Sequence, residues 1–296
     1  MKKRIFTGAG IAILTPMNPD GSINFPELGR IIDWQIQNST DAIIICGTTG
    51  ETPTLSQEEQ QQAIRFAVEK TAGRVPVIAG TGTNDTAKAI ERSQFAKEAG
   101  ADGLLVVTPY YNKTSQRGLV AHYNAIADAV DLPLIVYHVP SRTGVTIAPK
   151  TFYELSKHPN IVAVKEASGN VSAVAETRYL CGDDLDFYSG EDAQIVPILS
   201  LGGIGVISVL SHLIPQQVHD MCALYLGGKV AESAKLQIEY MDLIRALFID
   251  VNPIPVKEAV NLMGFAAGQC RLPLCPMAPA DREVLIQSMR KHGLLG

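Results

Sequence analysis

Ile161-Val162-Ala163-Val164-Lys165-Glu166 sets four apolar residues in an unbroken run and closes them with a lysine and a glutamate. A strand with one wet face alternates apolar and polar residues, whereas a continuous run reads as a strand covered on both faces. Seven more such runs stand at fairly even spacing, at 10–14, 42–46, 77–80, 103–107 and 134–138 before it and at 186–189 and 205–209 after it. Helical marks fill the gaps. Ser56-Gln57-Glu58-Glu59 is a capping-box pattern that predicts a helix through Val68, and Ala99-Gly100 closes another that contains Ile90, Phe95 and Ala96. Eight β-then-α units in succession predict an α/β fold, the closed (β/α)8 TIM barrel, for which about 250 residues is typical. An open doubly wound sheet is disfavoured because no Gly-x-Gly-x-x-Gly follows the first run.

The barrel is assigned to residues 1–224. Beyond it the chain is too long for one closing helix: helices are predicted at 231–248, 256–263 and 280–292, separated by Asn252-Pro253 and the proline-rich stretch 273–279, so residues 225–296 are read as a small helical C-terminal domain. A chain of 296 residues should expose roughly 12,000 Å² when folded and bury about three quarters of its surface, enough for a large core without staples. The charge is 25 − 30 = −5 with no Lys/Arg-rich run, which gives neither nucleic acid nor an anionic membrane a footprint. Five cysteines with no Cys-x-x-Cys fit a reducing compartment, and Cys270 and Cys275 are read as packing rather than metal ligands. Lys2-Lys3-Arg4 before an apolar stretch imitates a signal peptide, but Thr7, Gly8 and Gly10 interrupt it; the segment is read as a first strand and the protein as cytoplasmic. Residues 193–219 carry no Asp, Glu, Lys or Arg, yet Pro197, Gly202, Gly203, Gly205 and Pro215 break any single helix, so a buried helix and strand are expected there instead of a membrane span.

In a barrel the reactive groups sit at the C-terminal ends of the strands. The second run ends in Gly47-Thr48-Thr49-Gly50-Glu51, whose hydroxyls and backbone N–H groups can hold a carboxylate, or serve only as a capped βα turn. The fourth ends in Thr108-Pro109-Tyr110-Tyr111 and the fifth in Tyr137-His138-Val139-Pro140-Ser141-Arg142-Thr143-Gly144. Phenols there either pack or shuttle protons, and Arg142 either forks onto a substrate carboxylate or makes a surface ion pair. Lys165, behind four apolar residues, is the sharpest candidate. Turned inward it is a desolvated amine fit for Schiff-base chemistry; turned outward it snorkels to water. Lys257, after Ile254-Pro255-Val256, is a weaker rival, and no histidine spacing points to a metal.

Taken with Val164-Lys165-Glu166-Ala167-Ser168-Gly169 and Asn252-Pro253-Ile254-Pro255-Val256-Lys257, these motifs resemble the dihydrodipicolinate synthase family along essentially the whole chain. The resemblance implies a lyase that condenses pyruvate with L-aspartate 4-semialdehyde on the way to diaminopimelate and lysine, with no cofactor. It implies that Lys165 forms the imine, that Thr48 holds the pyruvate carboxylate, and that Tyr137, Thr49 and Tyr111 relay protons. Tyr111 would come from a neighbouring subunit of a homo-oligomer, a tetramer built as a dimer of dimers. Arg142 would hold the semialdehyde carboxylate, and the backbones of Gly190 and Ile207 would line the pyruvate pocket. Related pyruvate aldolases, such as N-acetylneuraminate lyase and 2-keto-3-deoxy-sugar-acid aldolases, share the lysine and tyrosine and are the alternative reading. A non-catalytic binding paralogue is a remoter one. In lysine-inhibited relatives the effector site aligns with Asn84, Lys88, Tyr110, Gln57 and Gln60, where Gln57 and Gln60 replace histidines and Lys88 an acidic residue. His138 stands where Asn is common, and Ser211-His212 replaces a common Ala-Asn.

Overall fold

Strands β1 (Gly8–Ala12), β2 (Ala42–Ile45), β3 (Val77–Gly80), β4 (Gly103–Val107), β5 (Leu134–His138), β6 (Ile161–Glu166), β7 (Asp186–Ser189) and β8 (Gly205–Ser208) pair in parallel and in chain order, and β8 closes onto β1. The computed structural model describes residues 2–296, and the molecule exposes 12176 Å², in line with its length. Each strand leads toward a helix that returns over the outside, after a short turn of 3-10 helix in the cases of β2, β7 and β8, as parallel crossovers require.

The unbroken apolar runs arise because each strand serves two cores. On β2, Ala42 and Ile44 meet Ile78, Leu105, Ile135 and Ala163 in the barrel's interior. Ile43 and Ile45 join the outer core between sheet and helices. β1 begins two residues before the predicted run, since Gly8 lies so close to Gly205 that a Cβ on Gly205 would stand 2.0 Å from the Gly8 oxygen. Ile13 and Leu14 stay fully buried beyond the strand's end, which is why their apolarity extended the predicted run.

The capping box forms as predicted: Glu59 N–H donates to Ser56 Oγ at 3.1 Å and Ser56 N–H to Glu59 Oε2 at 2.8 Å. The helix runs over Gln57–Thr71, past Val68, to a left-handed Ala72. The predicted helix at 231–248 is two helices, Val230–Glu239 and Met241–Leu247, because Tyr240 leaves helical geometry and lays its ring 4.9 Å from that of His292. Ile254–Leu262 starts earlier than predicted, as Pro255 fits its first turn. Pro279–Lys291 ends the fold. Residues 193–219 fold as the helix Ile195–Ser200, β8 and the start of the helix Pro215–Leu226. Among the described residues no helix is long and apolar enough to cross a membrane.

Candidate active site

Tyr137 on β5 pairs in register with Lys165 on β6, and Lys165 with Tyr188 on β7. Residues in register on adjacent strands share a face, here the interior, and the next pair, His138 and Glu166, therefore faces outward. The side chain of Lys165 thus turns inward and does not snorkel. It is 5% exposed and its Nζ lies 4.3 Å from the centre of the Tyr137 ring. Burial brings its pKa down from the ordinary value to about 8, against the pull of the Asp192 carboxylate and with a smaller push from Arg142. Burial also holds the Tyr137 phenol above its usual range, opposed by Arg142 and by a hydrogen bond with the Thr48 side chain. Gly190 leaves room for the lysine, since a Cβ there would stand 3.1 Å from Lys165 Cγ and 2.8 Å from Ala167 Cβ.

A cavity of about 410 Å³ opens above Lys165 and brings together Thr48, Thr49, Tyr137, Arg142 and Gly190 from the predicted set. Ile207 is not on its wall and packs in the inner core. Tyr111 is absent from it as well: it stands 91% exposed on the loop after β4, with a left-handed φ of 67°. The two threonines have different neighbours: the Thr48 side chain draws the Tyr137 pKa down, while Thr49 Oγ1 accepts from Asn252 Nδ2 at 3.0 Å.

Sequence reading passed over Glu191, Asp192, Arg245, Phe248 and the side chain of Asn252, all on the cavity wall. Asp192 is buried and accepts from Ser208 Oγ at 2.5 Å and from the N–H groups of Val209 and Leu210 at 3.0 and 2.9 Å. Two carboxylates directly after Gly190 at a strand end were a readable signal; nothing local marks Arg245 or Phe248.

Lys257, the rival lysine, is 2% exposed but donates to Glu51 Oε1 at 2.6 Å and to the Gln269 oxygen at 3.0 Å. Arg271 N–H fills the other oxygen of Glu51 at 2.8 Å. The unusual histidines are satisfied too. His138 Nε2 accepts from Ile147 N–H at 3.1 Å, so Nδ1 carries the hydrogen that meets Glu166 at 2.9 Å. His212 Nε2 accepts from Leu14 N–H at 3.0 Å, and burial lowers its pKa to about 4, keeping it neutral.

Of the aligned effector positions, Gln60 is buried, its amide donating to the Thr52 and Leu55 oxygens at 3.1 Å each, and Gln57 donates to Glu91 at 2.6 Å. Asn84 and Tyr110 are half-buried and Lys88 is exposed on the first turn of the helix Thr86–Glu98.

A closed (β/α)8 barrel with a desolvated amine at its mouth is an arrangement suited to Schiff-base chemistry, and its relatives make this enzyme a lyase. The chain belongs to the dihydrodipicolinate synthetase family, which matches residues 5–291. It is 56% identical over 292 residues, 98% of each chain, to a 4-hydroxy-tetrahydrodipicolinate synthase of Thermoanaerobacter sp. (strain X514). Among solved structures it is similar to a DHDPS from Cyanidioschyzon merolae with lysine bound, at TM-score 0.96 and 41% identity over 99% of this chain and all of that one. A monomeric dihydrodipicolinate synthase variant matches at TM-score 0.96 and 40% identity over 98% of each.

Proposed function

We propose that this chain condenses pyruvate with L-aspartate 4-semialdehyde to 4-hydroxy-tetrahydrodipicolinate through an imine on Lys165, in the biosynthesis of diaminopimelate and lysine. The observation that carries the reading is the Lys165 amine, desolvated in the barrel mouth and lying against the Tyr137 ring. The neutral amine attacks the keto carbon of pyruvate, and the carbinolamine oxygen takes a proton and leaves as water. Loss of a methyl proton gives the enamine, whose carbon attacks the aldehyde while the aldehyde oxygen is protonated. The semialdehyde's own amine then adds to the imine carbon, passes a proton to the Lys165 nitrogen and displaces it, closing the ring and freeing the enzyme. Each step moves a proton beside a nearly dry lysine, and hydroxyls do this without placing a fixed charge there.

Tyr137 is assigned to that proton traffic. The Thr48 side chain acts on the Tyr137 phenol, drawing its pKa down against burial, and this supports Thr48, rather than Thr49, as the next link, with Tyr111 of a second copy beyond it. Thr49 then takes the pyruvate carboxylate together with the backbone N–H groups of its turn and the space kept by Gly190. Arg142 is assigned to the semialdehyde carboxylate. A tyrosine held in left-handed backbone and left exposed supports a Tyr111 that completes a neighbour's site, hence a homo-oligomer, a tetramer made of two dimers. Residues 1–224 are read as the catalytic barrel and 225–296 as a helical unit, which lends Ile244, Arg245, Phe248 and Asn252 to the cavity wall.

The test is turnover of pyruvate with aspartate semialdehyde against cleavage of N-acetylneuraminate and 2-keto-3-deoxygluconate. Preference for either sugar acid would replace the condensation with an aldolase reading. For the shared site, inactive Lys165→Ala and Tyr111→Phe subunits are dissociated and reassembled together; verified hybrids should regain activity, and no recovery would contradict a shared relay.

A further inference from the structure

Asn252 touches both polar arms of the mouth. It is 6% exposed, its Nδ2 donates to Thr49 Oγ1 at 3.0 Å, and its backbone oxygen accepts from Arg142 Nη2 at 3.2 Å. Its side-chain oxygen is buried with no hydrogen-bond partner among the described residues. The polar contact that this side chain makes to the rest of the site is therefore through its N–H end. That end meets a hydroxyl with one hydrogen and two lone pairs. By occupying a lone pair of Thr49, an N–H group that cannot accept leaves the Thr49 hydrogen to be given elsewhere. Thr49 is itself 2% exposed and on the cavity wall with Lys165.

We infer that Asn252 is a positioning residue whose amide fixes Thr49 as a hydrogen-bond donor toward the carboxylate of the 2-oxo acid held on Lys165. The inference rests on the functional reading above and adds to it a reason for the polarity of one hydroxyl. An aspartate at this position has no N–H when ionised. It would draw the Thr49 hydrogen to itself and turn a lone pair toward the anionic substrate, so a nearly isosteric change should harm more than removing the side chain.

The experiment compares Asn252→Asp with Asn252→Ala, each in the native chain and in Thr49→Val, by the KM for pyruvate and for the semialdehyde and by borohydride trapping of pyruvate. Asn252→Asp is expected to raise the pyruvate KM about tenfold above Asn252→Ala, as loss of a hydrogen bond to a charged group does. Thr49→Val should erase that difference. The semialdehyde KM should change far less, because Arg142 is met by a backbone oxygen that every variant keeps. Pyruvate binding by Asn252→Asp equal to or tighter than that of Asn252→Ala would overturn the inference. So would a difference that persists in Thr49→Val, since the new charge would then act on the substrate directly. Asn252→Ser, uncharged and too short to bond Thr49 directly, guards against an alanine variant that does not fold. It should bind pyruvate better than Asn252→Asp, and the reverse order would also overturn the inference. A native chain that does not use pyruvate at all would refute the functional reading and this inference with it.

Discussion

Lys165 and Lys257 are similarly hidden, at 5% and 2% exposure, yet the fold surrounds them differently. Lys257 has a carboxylate at 2.6 Å and a carbonyl at 3.0 Å, so its charge is matched and its nitrogen spoken for. Lys165 has an aromatic face, and the carboxylate that acts on it, that of Asp192, is already engaged by three donors. Burial with a partner makes an ammonium a strut. Burial without one loosens its proton and frees a nucleophile, and the difference lies in the partners rather than in the depth.

Removing each amine should therefore produce contrasting defects. Lys165→Ala is expected to lower kcat by about a thousandfold or more with little change in Tm, as loss of a nucleophile does; steady-state assay beside calorimetry checks it, and a modest loss would remove Lys165 from the chemistry. Lys257→Ala leaves the buried Glu51 without its cation and with one oxygen held by Arg271 N–H, which costs about 3–5 kcal/mol and should lower Tm on the order of 10 °C. Pairing it with Glu51→Gln should restore much of that stability, and an unchanged Tm in the single variant would mean the ion pair is not a strut.

Arg142→Ala should cut kcat/KM for the semialdehyde about a hundredfold, the value of roughly 2–3 kcal/mol for a charged hydrogen bond, while leaving imine formation far less affected. Unchanged semialdehyde kinetics would refute its role. The pH profile tests the loosened proton itself. Lys165 must be neutral to attack, and with its pKa brought down to about 8 the reactive fraction falls tenfold for each unit below that value. Imine formation under single turnover should thus rise with near-unit slope through pH 7 and level off above about 8. A rise that continues toward the ordinary lysine value would show the amine to be unperturbed.

The smallest expected effect is that of free L-lysine. Lys88, at a position aligned with an acidic residue of lysine-inhibited relatives, is an exposed cation that would repel an effector's ammonium, and the Gln60 amide is turned into the chain. L-lysine is expected to inhibit weakly or not at all; half-inhibition by submillimolar lysine in a dose–response assay would contradict this.

The barrel was legible because two-faced burial writes itself into the sequence as unbroken apolar runs, and Lys165 because a charge at the end of such a run is anomalous. β1's start was not legible: Gly8 carries no side chain, and its place is set by Gly205 almost two hundred positions away. The break at Tyr240 depends on His292, and the role of Asn252 on Thr49, 203 positions apart. The different neighbours of Thr48 and Thr49 were hidden for another reason. Two adjacent identical residues differ only in where the turn aims them, which spacing does not encode.

The contrast between the two lysines is tested most directly by borohydride reduction in the presence of pyruvate, followed by peptide mass mapping. A reduced pyruvate adduct is expected on the peptide containing Lys165, and the peptide containing Lys257 is expected to stay unmodified. An adduct on Lys257, or none on either, would contradict it.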